Sequence, residues 1–235
     1  MLDNVTRYQS IKHMTHEGTT IADLYTLTWS VSQLDEAMAT LAQKAGFLSH
    51  PTQLPKFPEH VEHPDNELIG QWVSVAVGRL GLETEAVEFS YAEVGQMVCH
   101  AGPALIRLPD ETTPRFLVLL KGGRRRVSVI TPESTVRRLH AEQLRDVLTH
   151  DLEEPLLSPI RQLLAEADVP EDRQASVQSS ILSEQLSSAR IGGCWIVRMS
   201  PGDDFWKQIR HARLPRYFLT MLGMHFIAQM LMLLG

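Results

Sequence analysis

The chain has 235 residues, 43% hydrophobic and 21% charged, proportions that suit a globular domain with one sound core. A net charge of -6 argues against nucleic acid as the main partner. Two cysteines, Cys99 and Cys194, stand far apart without metal-ligand spacing, so a reducing compartment is the simpler reading.

The opening MLDNVTRYQSIKHMTHEG lacks the apolar run of a secretory signal. SQLDEAMATLAQKAGF predicts a helix capped by Ser32, with Asp35 three residues on. Leu34, Met38, Leu41 and Ala45 share a stripe, and Gly46 ends it. LSHPTQLPKFPEHVEHPDN, rich in proline and without period, reads as a loop. NELIGQWVSVAVGRLG predicts a second helix, capped by Asn66 and closed by Gly81. Its buried side is expected at Leu68, Trp72, Val75, Ala76 and Leu80. ETEAVEFS alternates like a strand, and SYAEVGQMVCHAG reads as a short helix capped by Ser90. PALIRLP, RFLVLLK and RRRVSVIT read as strands, the last two joined by a tight hairpin through Gly122–Gly123. Val127 and Val129 share one face of the last strand; Arg126 and Ser128 share the other.

After Pro132 the pattern turns helical. STVRRLHAEQLRDVLTH suggests two short pieces, and SPIRQLLAEADV a helix with Ser158 as cap and Pro159 opening it. EDRQASVQSSILSEQLSSARI is amphipathic, with its stripe at Val177, Ile181, Leu182 and Leu186. GGCWIVRMS is a brief extended stretch. In SPGDDFWKQIRHARL, Ser200 caps, Pro201 opens, and Asp203 and Asp204 sit where the helix dipole favours anions. Phe205, Trp206, Ile209 and Ala212 make one apolar face, flanked by Lys207, Arg210 and Arg213. The expected divisions are an α+β domain over 1–131, a helical linker over 132–199, and an interfacial helix with a first membrane span over 200–235.

From Tyr217 to Gly235 there is no charge. As a helix these residues extend about 28 Å, close to the hydrocarbon thickness of a bilayer. The preceding helix, with Phe205 and Trp206 beside basic groups, is of the kind that lies at a membrane surface. Lys207, Arg210, Arg213 and Arg216 then put residues 1 to about 213 on the cytoplasmic side by the positive-inside rule. His225 and Gln229 would be costly against lipid and are expected to face other helices. Those helices are not in this chain, which therefore reads as stopping within, or at the end of, its first span. The competing reading is a buried core helix.

Candidate chemistry is sparse. His13 with His16, and His60 with His63, have i,i+3 spacing but no cysteine partner or HExxH pattern, so solvated histidines are the simpler reading. Cys99–His100 pairs a thiol with an imidazole, but adjacent residues rarely point at each other, and a small buried filler is the simpler role for Cys99. No GxxxxGK[ST] loop occurs.

The order of GPALIRL and RFLVLLKGGRRRVSVITPE after a helix and a strand resembles the second half of the bacteriocin-processing cysteine peptidases. These papain-like domains precede the membrane spans of bacterial ATP-binding cassette exporters. The resemblance covers Leu68 to Thr131, and Gly192 to Gly235 for the transporter entry. It implies an α+β fold: a papain-like antiparallel sheet with helices, then a helical linker, an interfacial elbow helix and the start of a transmembrane bundle. The family's histidine precedes its FVVL-like strand; here that residue is Arg115. Its Asp-Pro follows the next strand; here Thr131–Pro132 stands there. Its cysteine opens an early helix, and the helix starts near Ser32 and Asn66 have none. Arginine stays protonated, and threonine cannot hold an imidazole as a carboxylate does.

The resemblance thus implies a degenerate, non-cleaving domain in the bacterial inner membrane, with no cofactor in this chain. Its implied partners are the membrane, the remaining transporter domains with their ATPase, a second half-transporter, and a polypeptide cargo; nucleic acid is not among them. Trp72, Phe89, Tyr91 and Phe116 are candidate cargo aromatics, with core packing as the simpler role. Two other readings stand beside this one. One is a soluble α+β interaction or regulatory module whose apolar last helix packs on itself or a partner. The other is a thiol hydrolase using Cys99.

Overall fold

Apolar residues repeating with period two between positions 104 and 130 make the centre of the sheet. The computed structural model describes residues 21–48, 50, 52–58, 61, 64–109 and 114–200. Its strands are β1 (Trp29–Ser30), β2 (Leu82–Ser90), β3 (Ala104–Leu108), β4 (Arg115–Lys121), β5 (Arg126–Ile130), β6 (Val136–His140) and β7 (Arg190–Met199). The helices are α1 (Ile21–Thr26), α2 (Leu34–Lys44), α3 (Asn66–Arg79), α4 (Val94–His100), α5 (Ala141–Glu166) and α6 (Glu171–Gln185). Among the described residues this is an α+β fold on one seven-stranded antiparallel sheet, ordered β2-β7-β3-β4-β5-β6, with β1 pairing the start of β4.

The alternation divides the core in two. Leu105, Phe116, Val118, Ile130 and Trp195 pack with α2 and α3. Ala104, Ile106, Leu117, Leu119, Val129 and Cys194 pack with α4 and α5. Helices cover both faces, so β3 and β4 are nearly continuous apolar runs. Val127 and Val129 are buried while Arg126 is exposed, as their alternation predicts. The β4–β5 connection is longer than a two-residue turn, running from Gly122 to Arg125. A Cβ at Gly122 would lie 2.6 Å from the carbonyl oxygens of Cys99 and Ala101, so close backbone approach requires glycine there.

Local signals were met with small shifts. The box before α2 is Ser30–Gln33 rather than Ser32–Asp35: Gln33 Oε1 accepts from the Ser30 N–H at 3.3 Å and its hydroxyl at 3.0 Å. Gly46 ends that helix region with φ 82. Asp65, not Asn66, caps α3, accepting from the Leu68 N–H at 2.8 Å. The buried stripe of α3 is Ile69, Val73, Ala76 and Val77, while Val75 is 58% exposed. This helix is apolar around most of its circumference, so hydropathy leaves its rotation open and the sheet selects it.

Larger corrections fall beyond Thr131. Residues 136–140, expected to be helical, form β6 and pair with β5 from Ile130↔Val136 to Arg126↔His140. The turn before it aligns the two strands: the Thr131 N–H donates to Thr135 O at 2.9 Å and the Ser134 N–H to Thr131 O at 2.8 Å. Leu139 is the strand's buried residue, too little apolar pattern to mark it. The break expected at Ser158–Pro159 is absent: α5 is one 26-residue helix with Pro155 and Pro159 inside. Both prolines are exposed, where water can reach the carbonyls they leave without donors. The extended stretch near 192–200 is the long strand β7, seated between β2 and β3. The sheet thus continues past the boundary expected at Thr131, and the 132–199 segment supplies two of its strands. The elbow helix and apolar run lie outside the described residues. Among those described, no helix is long and apolar enough to cross a membrane.

A third cluster joins α5 and α6 through Ile160, Leu164, Leu182 and Leu186, with Tyr91 at its border. Tyr91 donates its hydroxyl to Glu153 at 2.7 Å and receives Arg145 Nη2 at 3.3 Å; the guanidinium lies 5.7 Å from the ring centroid. Burial, reinforced by Glu153, pushes the Tyr91 phenol up to about 12.

Phe116 lies in a fully buried position, so Phe116→Ala should cost about 3–5 kcal/mol by urea denaturation. A phenol with a raised folded pKa adds stability that is complete below the unfolded value of about 10 and is lost as pH rises toward the folded one. Tyr91→Phe should therefore flatten the alkaline fall in the urea midpoint above about pH 10; an unchanged slope would remove Tyr91 as its source.

Candidate functional site

The start of α2, the start of β4 and the end of β5 converge at β1. Ser30 pairs with Arg115 and Trp29 with Phe116, while Trp29 Nε1 donates to the Ile130 carbonyl at 2.8 Å. Arg115, opening β4, and Thr131, just after β5, thus belong to one corner, with Ser30 brought to it from far earlier in the chain. Ser30 Oγ lies 2.9 Å from Ser32 Oγ as well as bonding Gln33. Thr131 is buried, with its hydroxyl 2.9 Å from that of Thr135. A hydrogen bond from the Thr131 side chain holds Glu133, on the surface, below the usual carboxylate range. Hydroxyls and a permanent cation stand at the two aligned positions and the helix start, and among the described residues no hydrogen bond brings a thiol or imidazole to them. A serine or threonine without a placed base is a weak nucleophile, so this corner is suited to holding β1, not to proton transfer.

The thiols lie elsewhere. Cys99 is half-buried near the end of α4. Its neighbour His100 turns Nδ1 back to the Gln96 carbonyl at 2.9 Å; a carbonyl only accepts, so Nδ1 carries the proton. No hydrogen bond links Cys99 to His100 among the described residues, so the adjacent pair is not assembled as a dyad. Cys194 is buried in the sheet, and burial pushes its thiol up to about 12. No group of three or more His, Cys, Asp or Glu among the described residues could hold a metal ion. His13, His16, His60 and His63 lie outside those residues, as do Phe205, Trp206, Ile209, Arg210, Arg213, Arg216, His225 and Gln229. Tyr91 and Phe116 are buried, and Trp72 and Phe89 half-buried against the two cores.

One feature had no sequence signal: a cleft of about 490 Å³ between α3 and the β2–β7 edge. Gly70, Ser74 and Val75 line it from the helix, and Thr84, Ala86 and Trp195 from the sheet. Arg107 fastens the start of α3, donating through Nη1 to Pro64 O at 3.0 Å and Asn66 Oδ1 at 2.9 Å. The cleft depends on which face of α3 is turned to the sheet, and that rotation is invisible in hydropathy. No protein-family model matches the chain, and no curated protein matches it.

The thiols offer a check on this placement. At neutral pH a maleimide should modify Cys99 in the folded chain and leave Cys194 untouched until denaturant is added. Equal rates, read by peptide mass, would contradict the burial of Cys194.

Proposed function

We propose that this chain is the non-catalytic, cytosolic peptidase-like domain and first membrane span of an ATP-driven exporter of the ATP-binding cassette class, where it docks or gates a polypeptide cargo. The observation that carries the reading is the corner at β1. A papain-like peptidase needs a helix start, a strand start and the end of the next strand brought together, because nucleophile, base and orienting group come from distant chain positions. Ser30 pairs with Arg115, and its neighbour Trp29 bonds the carbonyl of Ile130 just before Thr131, within an antiparallel α+β fold, which supports that reading. Their side chains cannot run the chemistry, which favours docking over cleavage. The uncharged run from Tyr217 to Gly235, behind its basic flank, supports the membrane half of the reading. ATP hydrolysis belongs to a domain outside this chain, and a second half-transporter completes the assembly. The chain resides in the bacterial inner membrane with residues 1 to about 213 in the cytoplasm.

The test is fractionation with topology labelling of the full chain in bacteria. It should stay in the membrane pellet after an alkaline carbonate wash. A membrane-impermeant maleimide should reach Cys99 in inverted vesicles and not in intact spheroplasts. The purified chain should cleave no peptide, and Cys99→Ala should change nothing in that assay. Release into the carbonate supernatant would sink the exporter reading, and a Cys99-dependent cleavage would sink its non-catalytic half.

A further inference from the structure

Strand β2 closes one side of the sheet, and among the described residues no strand pairs with its outer edge. Its register with β7 is regular from Leu82 to Val87, and a bulge falls only between Val87 and Phe89. This stretch of edge therefore presents backbone N–H and C=O groups in the alternating order that another strand needs. Natural sheets guard such edges with charge, proline or a cover. The stretch contains no proline, and its guards are Glu83 and Glu85, with Glu88 at the bulge. Pairing β2 with a second copy of itself would gather these like charges, whereas a basic strand would be attracted by them.

An added strand would meet different chemistry on its two faces. Ala86 pairs with Trp195, and Thr84 with Val197, which puts both β2 residues on the face that carries α3. There they border the cleft with Ser74 and Val75, and none of its lining residues is charged. Ala86 and Val75 are both exposed, so the cleft stands open beside the edge strand. Glu83 and Glu85 alternate onto the opposite face. The cation beside them, Arg198, is held by Glu85 at 2.8 Å, and Glu83 accepts from the Ser200 hydroxyl at 2.9 Å. Glu83 and Glu88 make no ion pair among the described residues. We propose that β2 takes up an extended basic segment of another polypeptide as an added strand. Small apolar side chains at alternate positions enter the cleft, and the lysines or arginines between them meet the glutamate face. Backbone pairing supplies the affinity, and the alternation of side chains supplies the selectivity. This goes beyond the exporter reading and does not depend on it.

The test titrates the ¹⁵N-labelled full chain with the peptide Ac-Lys-Val-Lys-Val-Lys-Val-NH2, reading affinity by calorimetry and backbone amide exchange by NMR. The expected result is saturable binding that weakens as salt is raised, with exchange slowed in β2 between Leu82 and Val87. Ac-Lys-Lys-Lys-Val-Val-Val-NH2, of equal charge but without alternation, should bind about tenfold more weakly. Ac-Glu-Val-Glu-Val-Glu-Val-NH2 should not saturate by about 1 mM. Glu83→Lys combined with Glu88→Lys should reverse the preference between the two alternating peptides, and Val75→Asn should weaken the lysine peptide by removing an apolar wall. These three positions are exposed, so the changes spare the core. No saturation by the alternating lysine peptide, equal binding of the glutamate or the unalternated peptide, or slowed exchange that leaves β2 out would each overturn the proposal and leave the glutamates as edge guards alone. Should a variant fail to fold, the three titrations of the parent chain decide it. None of these readouts involves membrane association, so their failure is distinguishable from failure of the exporter reading.

Discussion

Strand β7 is hydrogen-bonded on both sides, to β2 along nearly its whole length and to β3 at Cys194, Trp195 and Ile196. Among the described residues, the edge strand β2 therefore joins the rest of the sheet only through residues that come a hundred or more positions later in the chain. Closing so long a loop is tolerable because its entropy cost grows only with the logarithm of its length. The intervening chain is not idle: β6 extends the far edge of the sheet, and α5 and α6 bury a small cluster between themselves. The Tyr91–Glu153–Arg145 contacts tie that excursion to the end of β2. Such non-local pairing favours slow folding over fast.

The two faces of β7 lead to different chemistry. Cys194 and Trp195 are sequence neighbours, and strand alternation sends them to opposite cores. The thiol is sealed between the sheet and its helices, where burial disfavours the thiolate. The indole lies under α3, which passes over it at a glycine. One strand thus supplies both the most protected thiol and the floor of the cleft.

At the β1 corner the polar groups are turned inward to one another. Ser30 bonds Gln33, Thr131 meets Thr135, and Trp29 reaches the last carbonyl of β5. These contacts hold a two-residue strand that could not persist alone. In the proposed reading, positions that would move protons in a peptidase hold the fold together here, and a binding surface is what the domain contributes.

Period-two alternation in residues 104–130, Gly46 and Gly81 at helix ends and the helix start at Ser90 were legible because each rests on local backbone chemistry. So was the α+β class, which the order of helix-like and strand-like stretches determines; that the sheet is antiparallel agrees with what the resemblance implied. Tertiary structure alone decided the strand fate of Val136–His140, the uninterrupted run of α5 through two prolines, and the central seat of β7. It also turned Val75 outward and left the Thr84 hydroxyl without a hydrogen-bond partner among the described residues. Local patterns state which residues resist water; only the packed sheet states which neighbours they meet, because pairing, helix rotation and polar satisfaction are set by chain segments distant in sequence.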